Sequence, residues 1–285
     1  MLPPASAPAT APVASNAAPA ASDTAASSQS AADLVPAAIK AKGTLIVGTD
    51  ATYPPGEMFD TDGKTIIGLD ADLAVALGQQ LGVQLKMQQA TFANIIPGLQ
   101  SGKYDIGLSS FTITAERTKV VDFVTYFQAG EGFYVKAGSG KTYSGLDALC
   151  GLKVAVETGT VEETDAQDQA DKCKAAGNPA PTVMSFADQD QANLAVSSGR
   201  ADLGFADSQV AEYIVKVSNG QFEMSGEPFG VAPYGIALPK GNGMAEAMRA
   251  AMQQLISDGT YLNILKQWGV EDGAVTDPVI NQASS

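Results

Sequence analysis

A ten-residue segment of this chain returns later in the sequence without a gap. Ser101-Gly-Lys-Tyr-Asp-Ile-Gly-Leu-Ser-Ser110 recurs as Ser198-Gly-Arg-Ala-Asp-Leu-Gly-Phe-Ala-Asp207. Ser, Gly, Asp and Gly are identical in the two copies, and the basic and apolar positions keep their character. A repeat of this kind restricts the chain to folds in which one supersecondary unit is used twice.

A second pair of similar segments precedes the two copies. Gly43-Thr-Leu-Ile-Val-Gly-Thr-Asp50 and Gly151-Leu-Lys-Val-Ala-Val-Glu-Thr158 both run from a glycine through an apolar strand to a carboxylate. In open α/β sheets, ligands bind just beyond the carboxyl ends of the strands. We therefore expect two similar lobes whose matching strand ends face a shared cleft.

Predicted strands alternate with predicted helices along both halves, which is typical of parallel α/β sheets. Thr44–Thr49 and Lys153–Glu157 are apolar strands, and Val161–Ala175 and Gln189–Ser198 are helical. Leucines at 73, 77 and 81 mark one face of an earlier helix. The fold class is therefore α/β.

Two extended stretches, Gly132–Lys136 and Phe229–Ala237, bracket the second half of the chain. If they cross together between the lobes, the second lobe is an insertion in the first and the C-terminal helices return to the first. We accordingly assign residues 39–134 plus 231–285 to lobe 1 and residues 135–230 to lobe 2. A two-strand hinge of this kind suits closure around a ligand.

The charge and residue content exclude several function classes. The net charge of −14 argues against a nucleic-acid partner, which requires clustered Lys and Arg. The sequence contains no histidine, which removes Ser-His-Asp and Cys-His nucleophiles and HExxH zinc sites. We expect no metal and no cofactor, and an enzyme would have to use carboxylates, lysine or tyrosine.

Two cysteines, Cys150 and Cys173, lie on either side of a predicted strand and a predicted helix. They lack the spacing of a CxxC redox pair, and without histidine they cannot complete a zinc site. They are either reduced core thiols or a disulfide. We favour the disulfide, which implies an oxidising compartment.

Residues 1–38 are rich in Ala, Pro, Ser and Thr. Such a segment buries too little apolar surface to offset the entropy of ordering, so we predict a disordered linker. It lacks the basic and leucine-rich regions of an intact signal peptide. A spacer of this composition suits an exported protein whose processed N-terminus is tethered to a membrane. No window reaches the ~18 apolar residues of a membrane span.

A set of motifs in fixed order resembles a known family. They are Thr49-Asp-Ala-Thr-Tyr-Pro-Pro55, Gly68-Leu-Asp-Ala-Asp-Leu73, Ile96-Pro-Gly-Leu-Gln-Ser-Gly102, Ser109-Ser-Phe-Thr-Ile-Thr-Ala-Glu-Arg117, Val121-Asp-Phe123, Gly159-Thr160, Ala206-Asp-Ser208, Glu227-Pro-Phe229, Tyr234-Gly-Ile-Ala237 and Asp258-Gly-Thr-Tyr261. The chain resembles family 3 of the bacterial solute-binding proteins, the polar amino-acid branch that serves ABC importers. The resemblance implies a type II periplasmic-binding-protein fold, a monomer outside the cytoplasm, an amino-acid ligand and a permease partner.

The resemblance assigns the ligand's α-carboxylate to Ser109, Ser110, Thr112 and Arg117. Hydroxyls and helix N–H groups beside a guanidinium suit a carboxylate, because arginine binds both oxygens at once. The alternative is a capped helix, with Thr114 at its start and Arg117 on a solvated face.

The resemblance also assigns the ligand's α-ammonium to Asp207, which aligns with Ser110 in the repeat. The alternative for Asp207 is a plain helix N-cap. Tyr53 and Phe92 match aromatic walls around the ligand's side chain, although either ring could be core. Thr160 offers a hydroxyl, while Val161 replaces a hydroxyl and Gly56 replaces a phenylalanine that relatives carry.

Asp50 and Glu157 end the paired strands and are either pocket residues or solvated strand-end acids. If both line the pocket, Arg117 alone opposes Asp50, Glu157 and Asp207. Such a pocket disfavours a ligand with additional negative charge. It favours a cationic or polar amino acid, such as arginine, lysine, ornithine or glutamine.

Two other functions fit the same motifs. A dehydratase of the cyclohexadienyl type uses a similar fold and needs a carboxyl general acid, for which Glu157 is the candidate. The presence of both Arg117 and Asp207, one for each end of a zwitterion, favours binding over catalysis. A receptor's sensory domain would share the lobes, but the sequence shows no signalling segment.

Overall fold

The computed structural model describes residues 29–283. The strands are β1 (Thr44–Thr49), β2 (Thr52–Tyr53), β3 (Glu57–Phe59), β4 (Ile66–Ile67), β5 (Gln84–Gln89), β6 (Ile106–Gly107), β7 (Val121–Lys136), β8 (Lys153–Glu157), β9 (Thr182–Phe186), β10 (Leu203–Asp207) and β11 (Phe222–Pro239). The α-helices are α1 (Ala31–Leu34), α2 (Ala37–Lys40), α3 (Leu69–Leu81), α4 (Ile95–Gln100), α5 (Ala115–Thr118), α6 (Val161–Ala175), α7 (Gln189–Ser197), α8 (Ser208–Val217), α9 (Ala245–Ser257) and α10 (Thr260–Trp268).

The main sheet has two-fold pseudosymmetry. Its strand order is β5-β1-β6-β11-β7-β10-β8-β9. On one side β1 is parallel to β5 and β6, and on the other β8 is parallel to β9 and β10. The copies of the repeat thus contain equivalent strands, β6 and β10. The two-lobe α/β fold expected from the sequence is confirmed.

The centre of the sheet is an antiparallel ribbon formed by β7 and β11, which runs through both lobes. Its register extends from Val121 paired with Pro239 to Lys136 paired with Phe222. The register shifts between Ser225 and Phe229 and again between Phe229 and Ala232, where the ribbon passes from one lobe to the other. The two-strand hinge is confirmed, with strands longer than expected. The lobe boundaries at residues 134 and 231 stay predictions.

The four identical residues of the repeat have the same structural roles in both lobes. Asp105 accepts a hydrogen bond from the backbone of Ile46 and pairs with Lys42. Asp202 accepts one from the backbone of Lys153 and pairs with Lys141. Each repeat aspartate therefore fastens its own strand to the first strand of its lobe.

The repeated serines and glycines are also equivalent. The hydroxyls of Ser101 and Ser198 each donate to a carbonyl three residues earlier, and the glycine after each serine has a positive φ of 75° or 74°. A Cβ at Gly107 would lie 3.1 Å from the side chain of Ile95, and one at Gly204 would lie 2.0 Å from the ring of Tyr134. The identical residues thus maintain the fold.

The C-terminal helices α9 and α10 pack against α3 in the core of lobe 1. The structure differs from the linker prediction at its end, because α1 and α2 lie within residues 29–40. Ser30 and Asp33 form a capping box, and Ala31 and Val35 are buried in the core of lobe 1. The linker prediction for residues 1–28 lies outside the described residues.

Cys150 and Cys173 form a disulfide, as predicted, with their Cα atoms 5.7 Å apart. It fastens α6 to the short 3-10 helix Leu146–Leu149. A small sheet of β2, β3 and β4 was not expected from the sequence. Among residues 29–283, no helix is both long enough and apolar enough to cross a membrane.

Candidate ligand-binding cleft

The strand ends of the two lobes meet in a closed cleft. Asp50 follows β1, Glu157 ends β8 and Asp207 ends β10, and their exposed fractions are 0%, 1% and 5%. The lobes touch directly, because Arg117 Nη2 donates to Gly159 O at 2.9 Å and Gln189 N donates to Thr52 Oγ1 at 3.2 Å. The alternative of solvated strand-end acids is therefore wrong for both Asp50 and Glu157.

Arg117 is held at the floor of the cleft by backbone and aromatic groups. The hydroxyl of Thr114 caps α5 by accepting from Arg117 N, so the capped helix and the cleft position coexist. Arg117 Nη1 donates to Thr112 O at 2.7 Å, and the guanidinium carbon lies 5.3 Å from the centre of the Phe92 ring. Burial lowers the pKa of Arg117, but a guanidinium stays charged in proteins.

Ser109, Ser110 and Thr112, which were expected beside Arg117, differ in whether other residues already occupy their hydrogen-bonding groups. Ser109 Oγ donates to Glu57 Oε1 at 2.6 Å and accepts from Asp50 N at 2.9 Å, so this hydroxyl is engaged within lobe 1. Ser110 has a positive φ of 48°, and its N–H donates to Asp70 Oδ2 at 3.2 Å. Thr112 is buried and its side chain lines the cavity beside Arg117.

Two buried carboxyl groups, those of Glu57 and Asp70, accept hydrogen bonds from Ser109 and Ser110. The sequence analysis did not identify this pair. Glu57 and Asp70 are fully buried, and Asp70 also accepts from the hydroxyl of Tyr126 at 3.0 Å. Burial and the charge of Asp70 raise the pKa of Glu57 well above its usual range, and burial raises that of Asp70 to about 6. Asp70 resembles an ordinary helix-start acid in sequence, so only the tertiary packing reveals its role.

Asp207 faces the cleft and does not act as a side-chain cap. It occupies the N-cap position of α8 but makes no side-chain hydrogen bond to the helix, so the plain N-cap alternative is wrong. Burial raises the pKa of Asp207 to about 6, against the opposing effects of Tyr234 and of the Arg117 charge. Arg117 and Asp207 thus act electrostatically on one another across the cleft.

Asp50 and Glu157 form the acidic end of the cleft. Asp50 accepts from Phe92 N at 2.9 Å and from Thr52 Oγ1 at 2.8 Å. No N–H or hydroxyl group of the described residues donates to either carboxyl oxygen of Glu157, and the carboxyl of Asp50 is its hydrogen-bonding neighbour. Burial, followed by the charge of Asp50, raises the pKa of Glu157 to about 10. Glu157 is thus a buried acid that has no cationic partner among the described residues.

Tyr53 and Phe92 form two nearly parallel walls. Their ring centroids are 6.5 Å apart and their planes differ by 13°. Both rings are buried, and Phe92 also stacks on Phe111 at 4.6 Å. The walls lie beside Asp207, because the charge of that carboxylate helps to raise the pKa of Tyr53 after burial and the charge of Glu162.

Thr160 has a mainly structural role at the start of α6. Its hydroxyl donates to Glu157 O at 2.9 Å and accepts from Glu163 N at 3.2 Å. Glu163 in turn accepts from Gly159 N at 2.7 Å and from the hydroxyl of Ser185 at 2.5 Å. These bonds fix the loop that receives Arg117, so Thr160 contributes by position and by the nearby helix N–H groups.

Two further acids of the cleft were not identified from the sequence. Glu162, on α6, and Glu131, on the hinge strand β7, are buried. Burial followed by the charges of Asp207 and Glu131 raises the pKa of Glu162 well above its usual range. Burial and the charge of Asp165 raise that of Glu131 to about 9. Neither residue lies within a motif that the sequence analysis identified.

A cavity of about 580 Å³ adjoins Arg117 between the lobes and the hinge. It is lined by Thr112 and Arg117 from lobe 1, by Thr160 and Val161 from lobe 2, and by Glu131 and Phe229 from the ribbon. Within residues 29–283, no cluster of three or more His, Cys, Asp or Glu has an arrangement that could hold a metal ion.

The family model for bacterial extracellular solute-binding proteins, family 3, matches residues 45–271. The arginine-binding protein ArgT of Corynebacterium glutamicum is 36% identical over 250 residues, which cover 87% of this chain and 82% of that protein. A solved ancestral arginine-binding protein bound to arginine is 39% identical, with a TM-score of 0.72 over 79% of this chain and 98% of that one.

Another solved relative is an ancestral amino-acid-binding protein described as a precursor of cyclohexadienyl dehydratase. It is 36% identical, with a TM-score of 0.72 over 81% of this chain and 97% of that one. These similarities extend over both lobes and the hinge. The chain belongs to family 3 of the bacterial extracellular solute-binding proteins.

Proposed function

We propose that this protein captures a free cationic L-amino acid, L-arginine foremost, outside the cytoplasm and delivers it to an ABC-type permease. The observation that carries the proposal is Glu157, a buried acid between the lobes whose charged neighbours, Asp50, Asp188 and Asp207, are all acids. A buried charge without a partner is costly, so this position calls for a cation.

The backbone of the ligand is held by charges from opposite lobes. Arg117, from lobe 1, pairs with the α-carboxylate, and Asp207, from lobe 2, accepts from the α-ammonium. Each contact is a charge-assisted hydrogen bond in a site closed to water. Because the two residues come from different lobes, the ligand favours the closed form over the open form.

The side chain of the ligand extends toward Asp50 and Glu157. The Tyr53 and Phe92 rings are nearly parallel, with centroids 6.5 Å apart. That spacing is close to twice the contact distance of about 3.5 Å for one flat group on a ring. A planar guanidinium suits such a gap and attracts both ring faces, with its fork directed at the two carboxylates.

The charge balance of the cleft excludes glutamate as a strong ligand. Asp50, Glu157 and Asp207 face the cleft, and Arg117 is already used by the α-carboxylate. An additional carboxylate would lie beside acids with no cation to neutralise it. Glutamine, which is neutral and shorter, supplies no cation, so Glu157 would stay protonated and gain no charge pair.

The partner and location follow from the family and the relatives. Family 3 consists of extracellular solute-binding proteins, and the relative from Corynebacterium glutamicum is an arginine-binding protein. A disulfide between Cys150 and Cys173 suits an oxidising compartment. In our proposal the closed, ligand-bound form is the one that the permease recognises, and the protein acts as a monomer.

Thermal unfolding of protein refolded without ligand tests this function. L-arginine is expected to raise the melting temperature most, followed by lysine and ornithine, then glutamine, with no shift for glutamate. Arg117→Ala should abolish the arginine shift, because the α-carboxylate loses its counter-charge. An unchanged shift in Arg117→Ala would place the carboxylate site elsewhere. A larger shift with glutamate would refute the proposed ligand class.

A dehydratase remains the second candidate, favoured by one observation. Glu157 is an acid whose raised pKa of about 10 keeps it protonated at neutral pH, as a general acid requires, and one relative is described as a precursor of cyclohexadienyl dehydratase. Incubation with prephenate or arogenate separates the two functions. A binding protein returns either compound unchanged, whereas an enzyme would release water and carbon dioxide.

A further inference from the structure

Resting on the proposed function, we propose that Thr52 fastens lobe 1 to lobe 2 at the end of the cleft that holds the ligand's side chain. Its hydroxyl joins Asp50, which faces that side chain, to the N-terminus of α7 in lobe 2. This Thr52 bridge forms only when the cleft closes, so it slows the opening that releases the ligand.

The hydroxyl of Thr52 makes one hydrogen bond in each lobe. It donates to Asp50 Oδ1 at 2.8 Å, and it accepts from Gln189 N at 3.2 Å. A hydroxyl has one proton to donate and lone pairs to accept with, so the two bonds do not compete. Donation to a carboxyl also polarises the hydroxyl and strengthens it as an acceptor. The accepted bond is the one that crosses between the lobes.

The N-terminus of α7 has an N–H group that its own lobe does not satisfy. The first N–H groups of a helix have no acceptor within the helix. The N-cap Asp188 accepts from Gln191 N, and no atom of lobe 2 among the described residues accepts from Gln189 N. Gln189 is fully buried in the closed cleft. Without the hydroxyl of Thr52, closure would bury this N–H unpaired, which costs free energy.

Gln189 is held in place by the ribbon that joins the lobes. Its Nε2 donates to the hydroxyl of Tyr134 on β7 at 2.9 Å and to Asn193 Oδ1 at 3.1 Å. Tyr134 in turn donates to Asn193 Oδ1 at 2.6 Å. These bonds fix the first turn of α7 against β7, so the N–H of Gln189 has a set position when β2 approaches it.

The strand that carries Thr52 also packs against lobe 2 through its second residue. Tyr53 is buried in a hydrophobic cluster whose other members come from lobe 2 and the ribbon, among them Ala155 and Val210. The strand β2 belongs to the small sheet of β2, β3 and β4, and it contacts α7. Two successive residues of lobe 1 therefore lie against lobe 2, one by a hydrogen bond and one by packing.

Stopped-flow measurement of L-arginine release tests the bridge in wild type, Thr52→Val and Thr52→Ser. Thr52→Val keeps the size and the branched Cβ but has no hydroxyl, so release should be about fivefold faster, as for loss of one ordinary hydrogen bond. Thr52→Ser keeps the hydroxyl and should stay within about twofold of wild type. Asp50 keeps its bonds to Phe92 N and Gln89 Nε2 in all three proteins.

Substitution at the other end of the bridge isolates the N–H group. Gln189→Pro removes this N–H at a helix position that favours proline, and Asp188 already has the extended backbone that a following proline requires. Gln189→Ala is the matched control, because it loses the same side chain but keeps the N–H. Release should be about fivefold faster in Gln189→Pro than in Gln189→Ala. In a Thr52→Val background the two should differ by less than about twofold, because the acceptor is already absent.

The melting temperature of each ligand-free variant verifies folding. Equal release from wild type and Thr52→Val would overturn the proposal, and so would an undiminished difference between the proline and alanine variants in the Thr52→Val background. Failure of arginine to bind wild type would instead refute the proposed function. The interlobe distance in ligand-free protein, from one spin label on each lobe, then tests the bridge alone. Thr52→Val should have a smaller closed population than Thr52→Ser, and equal populations would overturn the proposal.

Discussion

The two lobes have the same backbone plan but present opposite chemistry to the cleft. Residues identical in the repeat, such as Asp105 and Asp202, make the same structural hydrogen bonds in both lobes. The residue at the end of the repeat differs, with Ser110 in lobe 1 and Asp207 in lobe 2. In the preceding strands, Thr49 of lobe 1 corresponds to Glu157 of lobe 2. The shared positions thus maintain the fold, and in our proposal the differences at the strand ends determine binding.

This asymmetry places Arg117 on lobe 1 and most of the acids of the site on lobe 2. Lobe 1 contributes Arg117, the aromatic walls and Asp50, whereas lobe 2 contributes Glu157, Glu162 and Asp207. In our proposal, a zwitterion with a cationic side chain contacts both sets of residues only when the lobes are closed. The free energy that selects this ligand would then be the same free energy that closes the hinge.

The largest expected effect comes from making lobe 2 resemble lobe 1. Asp207→Ser places the residue of Ser110 at the equivalent position and removes the partner of the ligand's ammonium. We expect arginine affinity to fall about 30-fold or more, as for loss of one member of a buried charge pair. Calorimetry measures it. An affinity near that of wild type would show that the ammonium is bound by other residues.

The next effect concerns the ligand's side chain. Glu157→Gln removes the negative charge but keeps the shape, so arginine should bind about tenfold or more weakly. Glutamine, which does not need that charge, should bind as well as before or better. Competition between the two amino acids measures the change in preference. An unchanged ratio would contradict the pairing of Glu157 with a cationic side chain.

A smaller effect is expected from pH on the ligand-free protein. Burial raises the pKa of Asp207 to about 6 and that of Glu157 to about 10 in the closed cleft. The closed form therefore binds protons more tightly than the open, hydrated form. Closure without ligand should be favoured at acid pH and should weaken as pH rises through these values.

Spin labels, one on each lobe, would report this change as a longer interlobe distance at pH ~9 than at pH ~5. Arginine should restore the short distance at both, because its guanidinium stabilises the ionised Glu157. A ligand-free distance that does not change with pH would contradict closure limited by these acids.

The smallest effect on binding is expected from substitution of the residues that are identical in the two copies of the repeat. Asp202→Ala removes the acceptor for Lys153 N and should lower the free energy of unfolding by about 1–3 kcal/mol. Asp105→Ala, its counterpart, should cost a similar amount. Arginine affinity should change by less than about twofold in both, because neither aspartate faces the cleft. Denaturant unfolding and calorimetry together test this separation of roles.

Local patterns in the sequence predicted much of the fold. The bounds of β1, β8 and α6 match the two predicted strands and the predicted helix, because turn residues flank these segments. The helices α1 and α2 were not predicted, because their composition resembles that of a linker; α1 is stabilised by packing against α9 and α3. The small sheet of β2, β3 and β4 has strands too short to show alternation.

The site was predicted unevenly. Arg117, Asp207 and the acids Asp50 and Glu157 all lie at the cleft, since strand ends and motifs identify such positions. The hydroxyls of Ser109 and Thr160 were expected at the ligand but are used within their own lobes. Glu57, Asp70, Glu131 and Glu162 were missed. Their burial arises from packing and hinge closure, and no local pattern distinguishes them from solvated acids.

Titration of the ligand-free protein with L-arginine and with L-citrulline shows whether the cleft selects a cationic side chain. The two have nearly the same shape, but citrulline replaces the charged guanidinium with a neutral urea. We expect arginine to bind about 30-fold or more tightly than citrulline, because only a cation pairs with Asp50 and Glu157. Equal affinities would contradict it.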